Sequence, residues 1–248
     1  MKIGKYYQEG RYSRELIEIR NSLYPEKARL FEKMIVSYTP QKVLDVGCGD
    51  GGLIAYLQEK MGFQGYGVDI SRKGTALAIR RGIESKVADI EEGIPFSNNM
   101  FDLIIANEII EHLRNPDYFL EEVRRILRKG GMLLIGTPNL SVWFNRIIFP
   151  LGIYPVYLEA STQFRKIGMG FLKNQVTQQP VGHIRVFNLP ALRDLLTAYG
   201  YEITEIRGTS VPFESSNKLL SLFYKTIDTM LSYIPSLASD LIILARRK

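Results

Sequence analysis

Residues 43–52 read VLDVGCGDGG, and the work its glycines do decides the fold. A short β-branched run, KVLDVG, stops at glycine, and GLIAYLQEKMG follows as a helix closed by Gly62. Strand, glycine turn and helix in that order open a parallel α/β sheet. Gly47, Gly49 and Gly52 meet the G-x-G-x-x-G spacing of dinucleotide-binding loops, which would seat a pyrophosphate on the helix N-terminus. Asp45, two residues before the first glycine, argues otherwise: a carboxylate there repels phosphate and suits an ammonium. The glycines alone do not choose.

Working outward, the same alternation repeats. GYGVDIS reads as a second strand, RKGTALAIRRG as a helix ending at Gly82, SKVADI as a third strand and FDLIIANE as a fourth. Asn115, Pro116 and Asp117 mark the start of the next helix as cap, first turn and dipole partner. Leu120, Val123 and Leu127 are its buried stripe, Gly130 its stop, and MLLIGTPN a fifth strand. The pattern predicts parallel strands, helices on both faces, and a ligand at the strands' carboxyl ends. Residues 1–40 read as an amphipathic helical cap, with Leu16, Ile17 and Ile19, then Leu30, Phe31, Met34 and Ile35, at helix spacing between Pro25 and Pro40.

Downstream the alternation breaks. Residues 140–182 hold no clean strand pattern, and SVWFNRIIFPLGIYPVYLE is aromatic and proline-rich. LPALRDLLTAYG is a helix closed by Gly200 and YEITEIRGTS a strand; a second insert, over 211–235, precedes a final strand in DLIILARRK. One domain over 1–248 with two inserts is the economical reading.

Composition bounds the rest. At 46% hydrophobic and 23% charged the chain is an ordinary globular protein, large enough for a sizeable core. A net charge of +6 is a mild bias that does not single out nucleic acid or a membrane surface. The single cysteine, Cys48, excludes an internal disulfide and a multi-cysteine zinc site. Inside the glycine loop it serves as a small residue. The N-terminus lacks the apolar core of a signal peptide, and no window reaches the roughly 18 apolar residues of a membrane span. The expectation is a cytoplasmic protein.

The early strands end in acids or polar residues: Asp45, Asp69, Asp89, and Asn107 with Glu108. In an open parallel sheet these tips line one crevice. Asp69 suits two ribose hydroxyls. Asp89 suits an exocyclic adenine amine, with Ile70 and Ile90 against the ring faces, and Asp45 suits an amino-acid ammonium. A single acid at a strand tip is usually a turn or cap residue. Three on consecutive strands, in register with a glycine loop, describe adenosine joined to a zwitterion.

VLDVGCGDGG, GYGVDIS, VADIEEGIPF, FDLIIANEIIEHL and LRKGGMLLIGTPN resemble, in order and spacing, the motifs of class I S-adenosylmethionine-dependent methyltransferases, nearest the group that includes ubiquinone-biosynthesis and natural-product enzymes. The resemblance is strong over about residues 40–140 and looser over GHIRVFNLPALRDLLTAYGYE and the final strand. It implies a Rossmann-like seven-stranded sheet with the last strand antiparallel. Gly47 and Gly49 would let backbone approach the methionine portion, Asp69 would hold the ribose and Asp89 would meet the adenine. Cys48 and Asn107 complete the expected cofactor surface.

Methyl transfer needs alignment and exclusion of water more than it needs a base. The two inserts are expected to cover the crevice, and an aromatic cover around Trp143, Phe144, Phe149, Tyr154 and Tyr157 suits a small, partly apolar acceptor; a loop packed only on the core and a membrane-surface contact are the other readings of that segment. The chain's two histidines, His112 and His183, both fall beside the expected site. Each has a structural role open to it, a backbone bond at a strand–helix corner for His112 and a tie between lid and body for His183. The alternative role is general base for an acceptor hydroxyl. Glu108, Glu111, His112 and His183 also resemble the metal-binding set of 2′-O-methyltransferases acting on small-RNA 3′ ends, although HIRVF lacks the histidine-rich pattern of those enzymes. A metal-free small-molecule methyltransferase is the expected reading. The RNA enzyme and a non-catalytic adenosylmethionine binder are its alternatives. A dehydrogenase is disfavoured by Asp45 and by LRKGGMLLIGTPN.

Overall fold

The computed structural model describes residues 27–174, 180–211 and 218–248. Leu16, Ile17, Ile19 and Pro25, expected in the N-terminal cap, lie outside them. One sheet runs through the described residues: β1 (Lys42–Val46), β2 (Gln64–Asp69), β3 (Glu84–Val87), β4 (Phe101–Asn107), β5 (Leu127–Pro138), β6 (Tyr201–Thr209) and β7 (Asp240–Arg247). Their order is β3-β2-β1-β4-β5-β7-β6. β1 to β5 pair in parallel, and β7 runs antiparallel to both β5 and β6. The seven-stranded, mostly parallel expectation holds, with its last strand reversed.

Alternation along the strands builds two cores. Leu44 and Val46 point to one face with Ile104, Leu133 and Ile135, and there meet Phe119, Leu120 and Val123 of α3 (Pro116–Ile126) and Leu192 and Leu196 of α5 (Leu189–Ala198). Val43, Leu103, Ile105 and Leu134 point to the other. They meet Ile54 and Leu57 of α1 (Gly52–Met61), Ala78 of α2 (Arg72–Arg80), and Phe31, Met34 and Ile35 from helical residues 27–35. A period of two divides each strand's apolar residues between the faces, so neither face is left open to water.

Two boundaries differ from the sequence reading. α3 ends at Ile126, not at Gly130, and Leu127 already begins β5. The cause is that Asn99 N and Met100 N donate to the last helical carbonyls, Arg125 O and Ile126 O, so the helix closes against the chain entering β4. β3 stops at Val87, which leaves Asp89 and Ile90 in the following loop. There Asp89 accepts from Glu91 N at 3.0 Å, an Asx turn. Asp45 lies inside β1, one residue before its end, and is buried.

The strand order reverses between β1 and β4, so their carboxyl ends flank a crevice. Because β7 is antiparallel, its first residue, Asp240, pairs with Pro138 and comes to that same edge.

Candidate functional site

The opening glycines answer their question through hydrogen bonds. Gly47 N and Cys48 N donate to Val68 O on β2 (2.8 and 3.2 Å), Gly49 N to the Asp69 carboxylate (2.8 Å) and Gly51 N to Cys48 O (2.9 Å). Gly52 N donates to Asp50, whose carboxylate also meets Arg81 at 3.1 Å. These amides are spent inside the protein, and an acid occupies the start of α1, so the loop does not offer the donors that a pyrophosphate needs. Gly47 has φ 74, and a Cβ there would come within 2.0 Å of Ile109 Cδ1. A Cβ on Gly67 would meet Cys48 Sγ at 2.6 Å, so Cys48 fills a tight gap between β1 and β2. Its thiol is pushed up first by burial and then by Asp45 and Asp69, which keeps it protonated and unreactive.

Asp69 is held rigidly. Its other oxygen accepts from Ser71 N at 2.8 Å. Ile70 is half-buried and belongs to neither core; Ile90 is half-buried and packs on one of them. Asn107 closes β4 with Oδ1 buried and without a hydrogen-bond partner among the described residues.

Past β4 the edge becomes densely polar. Glu108 has φ 56, a left-handed conformation that costs a non-glycine residue on the order of 1 kcal/mol. Glu108 N donates to Gly136 O (2.8 Å), and its carboxylate meets Lys27 at 2.7 Å. Lys27 also meets Asp240 at 2.9 Å. Burial works against the Lys27 charge, but Asp240 and Glu108 overcome it and hold the ammonium charged. For Glu108, burial is likewise outweighed by Lys27, and its carboxyl is lowered. Asp240 moves the other way, to about 6, because burial outweighs Lys27.

Glu111 is fully buried and accepts from the Thr137 hydroxyl at 2.9 Å, while its Oε1 has no hydrogen-bond partner among the described residues. Burial, then the neighbouring Glu108, raise its carboxyl well above the usual range. Oε1 lies 3.8 Å from His112 Nε2. Both imidazoles are fixed through Nδ1, His112 to Gly182 O (3.0 Å) and His183 to Tyr157 O (2.9 Å). A carbonyl only accepts, so each Nδ1 carries a proton, which in a neutral ring leaves Nε2 as the basic nitrogen. Burial lowers His183 further, favouring the neutral form. The two ring centroids lie 5.0 Å apart. One oxygen of Glu111 and one nitrogen of each histidine lie within 4.8 Å of one another, whereas Glu108 is turned to Lys27.

The inserts carry this arrangement. The Glu159 carboxylate accepts from Val181 N (2.6 Å), Gly182 N (2.8 Å) and His183 N (3.2 Å), gripping the segment that presents His183. Ile184 N and Arg185 N donate to Glu111 O, tying that segment to the body. In the first insert α4 (Trp143–Ile148) packs on α6 (Lys218–Ser232) of the second: Tyr224 lies 5.6 Å from Trp143 and 6.0 Å from Phe144. Buried Asp228 links them, accepting from Trp143 Nε1 (2.9 Å), Ser239 Oγ (2.8 Å) and Val211 N (3.0 Å). The two inserts form one packed layer.

The structure thus brings both predicted histidines together with Glu111, and sets Gly47, Cys48 and Gly49 in the loop after β1, with Asp45 inside β1 and Asp69 at the end of β2. Sequence reasoning missed Lys27, Thr137, Glu159, Asp228 and Asp240. Each meets its partner only through tertiary packing, which leaves no local pattern in the chain.

A family model described as a methyltransferase domain matches residues 10–206. The chain is 35% identical over 118 residues to a probable chloroplastic tocopherol O-methyltransferase of Oryza sativa subsp. japonica, covering 45% of this chain and 31% of that one. It is 29% identical over 136 residues to a ubiquinone biosynthesis O-methyltransferase of Chelativorans sp., covering 53% and 51%. The matches span about a third to a half of these relatives' lengths. Among solved structures, a 1,6-didemethyltoxoflavin-N1-methyltransferase of Burkholderia thailandensis aligns with TM-score 0.60 at 17% identity, over 98% of this chain and 84% of that one. A methyltransferase of Methanosarcina mazei aligns with TM-score 0.60 at 21% identity, over 86% and 96%. At these identities the likeness is one of fold.

Proposed function

Because the chain belongs to the methyltransferase-domain family, we propose that it moves a methyl group from S-adenosylmethionine to an oxygen or nitrogen of a small, partly apolar acceptor. The observation that carries the cofactor reading is the glycine loop, whose amides are spent internally while Asp69 is fixed at the β2 tip. An adenosine joined to a zwitterion asks for acceptors, and the donor-poor, acid-rich edge fits it. Asp69 takes the ribose hydroxyls and Asp89 the adenine amine, with Ile70 and Ile90 beside the ring. Asp45 and the orphaned Asn107 Oδ1 face the ammonium side, and Gly47, Cys48 and Gly49 give the backbone its close approach.

When bound, the cofactor supplies an electrophilic methyl on a good leaving group, so the chain's task is to place the acceptor and take its proton. His183 Nε2 accepts that proton, its ring oriented by Tyr157 O and kept neutral by burial. His112 flanks it from the body side. The insert layer, with Phe144, Tyr157 and Tyr224, covers the acceptor and excludes water. O- and N-methyltransferases among the relatives support this class of acceptor. No helix among the described residues is long and apolar enough to cross a membrane.

A second reading is favoured by one observation, the approach of Glu111, His112 and His183 to within 4.8 Å. A divalent cation there would serve an RNA ribose diol. Against it, Glu108, the fourth expected ligand, is already paired with the Lys27 ammonium. The test is formation of S-adenosylhomocysteine over a panel of apolar phenols, amines and short RNAs, with and without a chelator. Chelator-resistant turnover on a small molecule supports the first reading. Turnover confined to RNA and abolished by chelation overturns it.

A further inference from the structure

Large apolar side chains exposed to solvent are concentrated on the insert layer. Six lie between Ile147 and Phe171 and five between Leu222 and Ile234, against four elsewhere among the described residues. Ile147, Phe149 and Leu151 project from α4 and the turn after it; Phe223, Met230 and Tyr233 project from α6 and its end. The two groups continue one surface. Tyr224, next to Phe223, packs on Trp143 and Phe144, and Arg146 donates to Ser236 O at 2.9 Å just beyond α6.

Among the described residues of this layer the exposed charges have one sign. Arg146, Lys173 and Lys225 are exposed, while both acids of the described insert segments 143–174 and 218–234 are turned inward. Glu159 is engaged by the amides of residues 181–183, and Asp228 is fully buried on Trp143 and Ser239. The chain as a whole carries 26 acids to 32 bases, so the lack of an exposed acid among the described residues of this face is a local property.

We propose that this face docks on an anionic lipid bilayer surface, with α6 lying in the interfacial plane. Aromatic and aliphatic side chains enter the headgroup boundary, and the basic side chains meet lipid phosphates. A second copy is the poorer occupant, because a two-fold contact would set like charge against like. The inference goes beyond the methyl-transfer reading and is read without turnover, so either can fail alone.

The test is flotation of the full chain with vesicles of phosphatidylcholine, alone or with roughly one-third phosphatidylglycerol. Binding to the anionic vesicles is expected to exceed binding to the neutral ones by about tenfold and to weaken with added salt. The triple variant Phe149→Ser, Phe223→Ser, Tyr233→Ser should lose at least about tenfold of the anionic binding. Lys225→Glu should lose several-fold on anionic vesicles only. Unchanged thermal melts and S-adenosylhomocysteine affinity show that the variants fold. Absence of vesicle binding, equal binding to both vesicle types, or a triple variant that binds like the parent overturns the proposal. So does a concentration-dependent dimer that the same substitutions dissolve, which would assign the face to a second copy.

Discussion

The two halves of the crevice are built by different rules. On the β1–β3 side the polar groups stand within three residues of a strand end, and their partners are two residues away or one strand–helix–strand unit away: Asp69 with Ser71, Asp89 with Glu91, and Gly49 with Asp69 across twenty positions. On the insert side the partners come from afar. His112 meets Gly182 across 70 positions, and Lys27 meets Glu108 across 81 and Asp240 across 213. The first half is a local consequence of strand–turn–helix geometry; the second exists only once the whole sheet has assembled. Changes in the first half should therefore act on cofactor affinity alone, and changes in the second on turnover or on stability.

The largest expected effect is on turnover. His183→Ala should lower it roughly 10²–10⁴-fold, the contribution of a positioned base, with cofactor affinity nearly unchanged. The base works as the neutral ring, so activity is lost as pH falls through its pKa. Burial lowers that pKa, which places the acid limb of kcat/KM below the ordinary histidine value of about 6.5. A His183→Ala variant with parental turnover would reduce His183 to an anchor of the insert.

Next comes stability. Lys27→Met leaves Glu108 and Asp240 facing each other without their cation, and should cost about 2–3 kcal/mol, seen as a lowered Tm. An unchanged Tm would show that the pair of carboxylates is relieved by water or protons, and would weaken the long-range half of the comparison.

Asp69→Ala should weaken S-adenosylhomocysteine binding by one to two orders of magnitude, about 1.4–2.7 kcal/mol, through lost charge-assisted hydrogen bonds. Its kcat at saturating cofactor should change far less than that of His183→Ala. The smallest effect expected is that of a chelator, none, since Glu108 is committed to Lys27.

What could be read from the chain follows the same division. The parallel strands and the helices on both faces were legible because apolar runs and helix-spaced residues alternate along the chain, whereas the reversed last strand came only from the family resemblance. Asn115 was legible as a cap and does accept from Tyr118 N. The end of α3 was not, because Gly130 is a stronger local stop than the closure by Asn99 and Met100 that ends the helix four residues earlier. Glu159 and Asp228 were invisible for a related reason. Each satisfies backbone or indole donors that no periodicity announces, and their burial depends on two inserts packing together.

The most direct test of the central claim, that a strand–glycine–helix unit with spent amides holds an adenosyl zwitterion and not a dinucleotide, is calorimetric titration of the purified chain with S-adenosylhomocysteine and, separately, with NAD. The account predicts 1:1 binding of S-adenosylhomocysteine and no heat of binding for NAD. Saturable binding of NAD, or none of S-adenosylhomocysteine, would contradict it.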